Sequence, residues 1–304
     1  MAYDSTPPVI DVRGLRKTFG KQVVLDGLDL VVHRGEVFAL LGPNGAGKTT
    51  TINVLTTLTR PDEGTATVAG IDVAAFPERV KQRISLTGQS AAVDDVLTGT
   101  ENVVMLGRLS GLSPRAARRR AAELLDRFDL ADAATKRVGA YSGGMRRRLD
   151  LALSFVVTPE VLFLDEPTTG LDTRSRRELW DVIRSLADAG TTVFLTTQYL
   201  EEADQLADRI AVLDGGRVVA TGTAAQLKSR VGGDTVELHD AHGDLLREVA
   251  TDGSVSDLRR ALDVLDESGA EGVVSLRRPS LDDVFLALTS PDARRAEASL
   301  KEIA

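Results

Sequence analysis

The sequence predicts an α/β fold built around a mainly parallel β-sheet. Two short, continuous apolar runs, Val37–Leu41 and residues 161–164, have the composition of strands that are buried on both faces. A segment with helical periodicity follows each run, and such alternation is typical of a parallel sheet covered by helices. Helical spacing dominates between the two runs, so we also predict a helical insertion at about residues 97–158.

The elements of the first domain, predicted at residues 1–230, follow from these patterns in order. Two strands come first, and Val37–Leu41 then runs into a glycine-rich turn that opens a helix. The insertion holds three or four helices, one of which is the basic segment at 114–128. The predicted strands are 9–12, 23–32, 37–41, 161–164, 192–195, 210–213 and 217–220, and the flanking helices are 48–58 and 173–186.

A second, smaller α+β domain is predicted at residues 234–304, after a linker that contains Gly232 and Gly233. Its tail beyond Pro291 is polar. The predicted elements are a strand at 235–238, a turn at 240–243 leading to another strand, a helix at 255–265, a strand at 273–276 and a helix at 280–288.

The glycine-rich loop after the third strand has the spacing G-x-x-x-x-G-K-[ST] in full. Glycines let successive backbone N–H groups turn inward toward phosphate oxygens, and the helix N-terminus adds partial positive charge. Lys48 is then placed to contact the β- and γ-phosphates, and the Thr49 hydroxyl to ligate Mg²⁺. The nucleotide-binding residues predicted here are Gly42, Pro43, Asn44, Gly45, Ala46, Gly47, Lys48, Thr49 and Thr50.

Two carboxylates follow directly after the apolar run at residues 161–164. At the carboxyl edge of a parallel sheet, beside a phosphate loop, Asp165 can hold Mg²⁺ through water. Glu166 can orient or deprotonate the attacking water. The two motifs together predict a nucleotide hydrolase in which Lys48 and Glu166 are catalytic residues.

A third motif, Ser142-Gly143-Gly144, stands 23 residues before Asp165 and at the start of a predicted helix. It resembles the signature loop of the ABC transporter ATPases. The resemblance covers about residues 9–228 and implies a P-loop NTPase core with an antiparallel β subdomain. It also implies a homodimer in which these three residues of one copy clamp the γ-phosphate of ATP held on the other.

Four other positions take expected roles from the same resemblance. Phe19 matches the aromatic residue that stacks on adenine, Gln89 matches the glutamine that touches Mg²⁺, and Asp172 lies in the nucleotide-site loop that signals between subunits. Gln198 stands at the catalytic switch position, where the family usually has a His, and Met145 replaces the usual signature Gln. A glutamine amide donates hydrogen bonds but is never cationic, so we expect slower or differently gated hydrolysis.

Residues 277–286, together with Gln198, resemble the daunorubicin-resistance-type drug-export ATPases. That resemblance implies a two-gene exporter with ATP and Mg²⁺ as cofactors, a separately encoded membrane-spanning permease as partner, and a peripheral position on the cytoplasmic face of the cell membrane. Residues 90–109 are implied as the surface that faces the permease. For the C-terminal domain we expect a regulatory or dimerisation role, and its last helix is predicted to be capped by Ser280.

The amino-acid composition excludes several classes of protein. The net charge of −8 argues against a nucleic-acid partner, and the absence of cysteine removes disulfide and thiol chemistry. The arginine runs at 118–120 and 146–148 are interpreted as solvated helix faces. No apolar stretch approaches the roughly 20 residues of a spanning helix, so no direct membrane insertion is expected.

Two other interpretations stay open. An ABC protein of translation or DNA repair would carry two cassettes or a long coiled coil, whereas this chain has one phosphate loop and no sustained heptads. A drug-sequestering resistance protein would bind its drug without any membrane partner. For an exporter, the expected cargo is an antibiotic or another amphiphile, with lipid, polysaccharide and peptide as alternatives.

Overall fold

The computed structural model describes residues 7–88, 93–267 and 272–289. The chain divides into two compact units, Met1–Thr221 and Gly222–Ala304. No helix within the described ranges is long and apolar enough to cross a bilayer.

The first ten strands form two sheets. Numbered along the chain, the strands are β1 (Ile10–Phe19), β2 (Gln22–Val32), β3 (Val37–Leu41), β4 (Glu63–Val68), β5 (Ile71–Asp72), β6 (Ile84–Thr87), β7 (Val161–Asp165), β8 (Thr192–Thr197), β9 (Arg209–Asp214) and β10 (Arg217–Gly222). An antiparallel sheet has the order β2-β1-β4-β5, and a six-stranded sheet has the order β10-β9-β3-β8-β7-β6. Five neighbouring strands of the larger sheet pair in parallel, in the order β9, β3, β8, β7 and β6, which confirms the predicted α/β class. The four-stranded sheet is the antiparallel subdomain that was expected.

Helices cover the parallel sheet and form the insertion. Within the described part of the first unit they are α1 (Lys48–Leu55), α2 (Pro77–Lys81), α3 (Gly99–Leu109), α4 (Pro114–Arg127), α5 (Gly143–Leu153), α6 (Thr173–Asp188) and α7 (Leu200–Leu206), with 3₁₀ turns at Ala131–Ala133 and Val138–Ala140. The insertion consists of α3, α4 and α5. Its helices begin at side-chain caps: Thr98 and Glu101 form a capping box on α3, and Ser113 caps α4.

Three phenylalanines pack together at the centre of the parallel sheet. Phe194 on β8 packs against Phe38 on β3 and against Phe163 on β7, with ring centroids 5.5 Å apart in both pairs. All three side chains are fully buried. Each aromatic pair adds about 0.5–1.5 kcal/mol beyond the burial of its area. The ends of β3, β7 and β8, from which the functional side chains project, are therefore held on one rigid base.

The structure contains elements that the sequence patterns did not predict between residues 58 and 97. These are β4, β5, α2 and β6. In β4 only Ala66 and Val68 are buried, so the strand carries little apolar signal of its own. It is a strand because it pairs with β1, 50 or so residues away in the chain, and such pairing is not visible in a local window.

The second unit contains α8 (Ala224–Lys228), β11 (Asp234–His239), β12 (Leu245–Thr251), α9 (Val255–Asp266), β13 (Val273–Arg277) and α10 (Leu281–Thr289). Its antiparallel sheet has the order β12-β11-β13, and α9 buries Ala261 and Leu265 against Val236 and Leu238 of β11. The division of the chain at 221 differs from the sequence-based boundary at 230, because α8 packs against α10. Ser280 Oγ accepts a hydrogen bond from Asp283 N, the cap predicted for α10.

Candidate active site

The glycine-rich loop joins β3 to α1 at the carboxyl edge of the parallel sheet. Two of its glycines are required sterically. A Cβ at Gly42 would lie 2.5 Å from the Leu213 carbonyl oxygen, and a Cβ at Gly47 would lie 2.7 Å from Leu25 Cδ2. Gly47 also has φ +110°, which side-chain-bearing residues rarely adopt. Asn44, Gly45, Gly47, Lys48, Thr49, Thr50 and Glu166 line a cavity of about 490 Å³ here, together with Gln22 and Val24.

Lys48 holds its ammonium group inside the curl of this loop. Nζ donates to the carbonyl oxygens of Gly42 (2.9 Å) and Pro43 (3.2 Å), and it lies 3.2 Å from Glu166 Oε1. Its side chain is only 4% exposed. A buried cation whose partners are two carbonyls and one carboxylate is well placed to exchange those partners for an anionic ligand in the cavity.

Asp165 ends β7 beside the loop. Thr49 Oγ1 donates to Asp165 Oδ2 at 3.1 Å, and Thr196 Oγ1 from the neighbouring strand β8 donates to Oδ1 at 2.6 Å. The carboxylate is almost fully buried. The structure therefore brings the two predicted oxygen ligands of the metal, Thr49 and Asp165, into direct contact.

Glu166 is one of four residues other than glycine with left-handed backbone in the described part of the chain. Its φ is +48°, and its N–H donates to the backbone oxygen of Thr196 at 3.1 Å. Such a conformation costs on the order of 1–3 kcal/mol and recurs at functional sites. Here it turns the side chain from the end of β7 toward Lys48, which is what a residue acting on a ligand in the loop requires.

The Ser-Gly-Gly motif opens α5. Ser142 caps this helix, since its Oγ accepts from Met145 N at 3.2 Å. A Cβ at Gly144 would lie 2.7 Å from Ser175 Oγ, so α5 approaches α6 closely. Ser175 Oγ in turn donates to Asp172, which caps α6, and these hydrogen bonds lower the pKa of the Asp172 carboxyl. The predicted signature and signalling loops thus lie side by side.

The signature residues do not line the phosphate-loop cavity of their own chain. Gly143 instead lines a second cavity of about 480 Å³ with Glu166, Thr169 and Gly170. Glu166 lines both cavities. Within one chain, the two halves of the predicted nucleotide site therefore face different spaces.

The remaining predicted site residues lie as follows. Phe19 is 51% exposed at the end of β1, with Lys17 Nζ 5.4 Å from its ring centroid. Gln198 is half-buried in the bend between β8 and α7, at the same sheet edge as Asp165. Gln89 lies outside the described residues.

Arg147 is a residue whose environment the sequence interpretation missed. Its run was interpreted as a solvated helix face, but Arg147 is only 9% exposed and the Arg148 side chain only 13%. The interpretation is wrong for these two because α5 packs against α6 and the sheet edge on that side. Three arginines in a row cannot all point outward from a helix that is covered on one face.

Glu202 on α7 is a second missed residue. It is fully buried, and Trp180 Nε1 donates to its Oε1 at 3.2 Å. Burial raises the pKa of the Glu202 carboxyl above its ordinary value. The neighbouring side chains of Thr197, Thr168 and Trp180 lower the pKa, but they offset only part of that rise. A Glu in an exposed-looking Glu-Glu pair gives no local signal of burial.

The raised pKa predicts how stability depends on pH. The folded chain keeps the Glu202 proton at pH values where the unfolded chain has released it, so the free energy of unfolding should fall as pH rises from 4.5 through the folded-state pKa. Glu202→Gln lacks this dependence, and its stability relative to wild type should rise over the same window. Urea unfolding between about pH 5 and 8, followed by the fluorescence of Trp180, measures the difference.

Glu201→Gln is the matched control, because the Glu201 side chain is 57% exposed. It should leave the pH profile unchanged. A Glu202→Gln profile parallel to wild type would show that Glu202 is not the titrating group.

The site combines a phosphate loop that carries a lysine, a pair of carboxylates and a helix that begins at Ser142 and two glycines. Together with a parallel sheet and an antiparallel subdomain, these features define an ATP-binding cassette of the ABC class. The family model for ABC transporter matches residues 25–169. A solved structure of an ATP-binding subunit of an ABC transporter is 29% identical, with a TM-score of 0.64 over 73% of this chain and 92% of that one.

Relatives extend this likeness over almost the whole chain. The daunorubicin/doxorubicin resistance ATP-binding protein of Streptomyces peucetius is 52% identical over 318 residues, which cover 96% of each chain. The Nod factor export ATP-binding protein I of Ralstonia nicotianae is 38% identical over 323 residues, 97% of this chain and 100% of that one. The chain belongs to the ABC transporter ATP-binding proteins, in the daunorubicin-resistance-type family, and is an ATPase.

Proposed function

We propose that the chain hydrolyses MgATP at two composite sites of a head-to-tail homodimer and thereby powers a separately encoded permease that exports an antibiotic or another amphiphile. One observation carries the composite site. Lys48, Thr49 and Glu166 line one cavity, with Asp165 in contact with Thr49, whereas Gly143 at the capped start of α5 lines a second cavity that it shares with Glu166. A second copy is then needed to bring a signature helix onto the nucleotide.

The residues of the loop define what binds there. Exposed Phe19 offers a ring for adenine to stack on, and the loop N–H groups with Lys48 bind the phosphates. Glu166, held by its strained backbone, orients the attacking water and accepts its proton. Gln198 donates its amide to the γ-phosphate from the end of β8.

The residues present also fit Mg²⁺. The Thr49 hydroxyl and the Asp165 carboxylate are hard oxygen donors in mutual contact, as this cation prefers. In the described part of the chain no group of three His, Cys, Asp or Glu residues converges as an all-protein metal site. That agrees with an ion that takes most of its ligands from phosphate and water, and Gln89 is proposed as a further ligand. When bound, the ion would neutralise charge on the phosphates.

The composite site explains how hydrolysis becomes motion. Ser142, Gly143 and Gly144 at the N-terminus of α5 present a hydroxyl and backbone N–H groups to the γ-phosphate held by the partner copy. Neither half-site neutralises the triphosphate alone, so ATP stabilises the dimer and hydrolysis releases it. Asp172 beside this helix links the two copies.

The names of the relatives support the cargo and the location. One relative is named for drug resistance and another for Nod factor export, and both names support an exporter. An exporter's ATPase would lie on the cytoplasmic face of the membrane beside its permease. The first domain supplies the motor, and the C-terminal unit, with its own small core, is proposed as a regulatory or dimer-stabilising domain.

Light scattering on the Glu166→Gln protein tests the proposal. We expect a monomer without nucleotide and a dimer with MgATP, since the slow variant keeps ATP bound. Ser142→Asp added to this protein should abolish the dimer: Asp caps a helix as well as Ser does, but it places a negative charge against the γ-phosphate.

Ser113→Asp is the matched control, because Ser113 caps α4 in the same way. It should leave the dimer intact. A dimer that survives Ser142→Asp would contradict the composite site, and so would a parent protein that stays monomeric with MgATP.

A further inference from the structure

Arg147 sits where three functional segments of the first unit meet. Its Nε donates to the Pro167 carbonyl oxygen at 2.8 Å, and one Nη donates to the Gly88 carbonyl oxygen at 2.8 Å and to Asp150 Oδ2 at 3.1 Å. The guanidinium group is thus held by two backbone carbonyls and one carboxylate, and the residue is only 9% exposed. Its planar fork makes these three directions rigid with respect to one another.

The two residues whose carbonyls bind Arg147 lie next to predicted site residues. Pro167 follows Glu166 directly, and Gly88 directly precedes Gln89. Arg147 itself stands on α5, one turn after the Ser142–Gly144 motif at its N-terminus. The Arg147 side chain therefore connects two segments of the same copy. One is the helix proposed to contact the nucleotide of the partner copy, and the other is the backbone next to Glu166.

The same place keeps unused hydrogen-bonding capacity. Arg147 Nη2 is a buried atom that has no hydrogen-bond partner within the described chain. The Glu202 carboxylate interacts electrostatically with Arg147. Buried polar groups are normally satisfied, so this donor would gain a hydrogen bond if a shift of α5 brought it to the Glu202 carboxylate.

We propose that Arg147 is a positioning residue that couples the two ATP sites of the dimer. When α5 closes on the nucleotide of the partner copy, Arg147 moves with the helix and carries the Pro167 and Gly88 carbonyls, and with them Glu166, into the hydrolytic position. Nη2 then gains Glu202 as its partner. The inference rests on the proposed composite dimer and adds to it the route by which filling one site activates the other.

Steady-state ATPase kinetics test the coupling. In Arg147→Met we expect kcat to fall by roughly 10- to 100-fold, as for a misplaced catalytic group. The Hill coefficient for MgATP should drop from above 1 to about 1, while the affinity of the monomer for ATP stays unchanged. Arg147→Lys, which keeps the charge and can still donate to a carbonyl, should restore part of kcat. Arg119→Met, an exposed arginine on α4, should behave as wild type.

A second readout does not depend on turnover. Trp180 is the single tryptophan of the chain and donates to Glu202, so its fluorescence reports this cluster. In the Glu166→Gln protein, MgATP should change the Trp180 emission as the dimer forms, and adding Arg147→Met should remove the change while light scattering still detects the dimer.

Coupling through Arg147 and the composite dimer can fail separately, and different results would contradict each. A wild-type protein without cooperativity, whose Glu166→Gln form stays monomeric, would overturn the composite dimer itself. A cooperative wild type with an Arg147→Met variant that keeps its Hill coefficient and its Trp180 signal would overturn the coupling alone. If Arg147→Met and Arg147→Lys only lower the melting temperature, with kcat and cooperativity of the folded protein intact, Arg147 is a structural residue and the inference fails.

Discussion

Glu166→Gln is expected to lower kcat for ATP hydrolysis by about 10²–10⁴-fold, the contribution of a positioned general base. The substitution keeps the size of the side chain and removes its capacity to accept a proton. Because Gln can still accept a hydrogen bond from Lys48, the loop should keep its shape and the affinity for MgATP should change little. Phosphate release and nucleotide titration on the same preparation measure both quantities.

The control for this variant is Glu123→Gln, which removes a carboxylate that is 51% exposed on α4. It should hydrolyse ATP at the wild-type rate. Turnover of Glu166→Gln within a few-fold of wild type would remove Glu166 from the role of base and leave its left-handed backbone without a catalytic reason.

Lys48→Ala is expected to weaken ATP binding itself. A hydrogen bond to a charged group contributes about 1.5–3 kcal/mol, so losing the ammonium should raise the Kd for ATP by roughly 10- to 100-fold. The half-buried Glu166 also loses its positive partner and would then face the γ-phosphate as an uncompensated negative charge. Titration with a fluorescent ATP analogue measures the change, and circular dichroism checks that the variant is folded.

Lys136→Ala removes an exposed lysine from the helical insertion and should bind ATP as wild type does. An unchanged Kd for a folded Lys48→Ala protein would show that the loop backbone alone supplies the phosphate affinity. Lys48 would then serve only to balance Glu166.

The parts of this protein in which consecutive residues share one task can be recognised from the sequence alone. Gly42 through Thr49 form a single loop, Asp165 and Glu166 end a single strand, and Ser142 with its two glycines caps a single helix. Each such segment is specified by local backbone requirements and local hydrogen bonds, so a window of eight or ten residues contains the whole signal. Buried strands such as β3 and β7 are recognisable for the same reason, since burial on both faces leaves a continuous apolar run.

Contacts between residues that are distant in the chain follow from how the elements pack. Thr196 contacts Asp165 because β7 and β8 pair in parallel, and β4 is a strand because β1 lies beside it. Arg147 is buried between Gly88 and Pro167, 59 and 20 residues away, although both of its neighbours in the chain are also arginines. Burial and charge pairing are set by what packs against a residue from other parts of the chain, and that information has no local pattern.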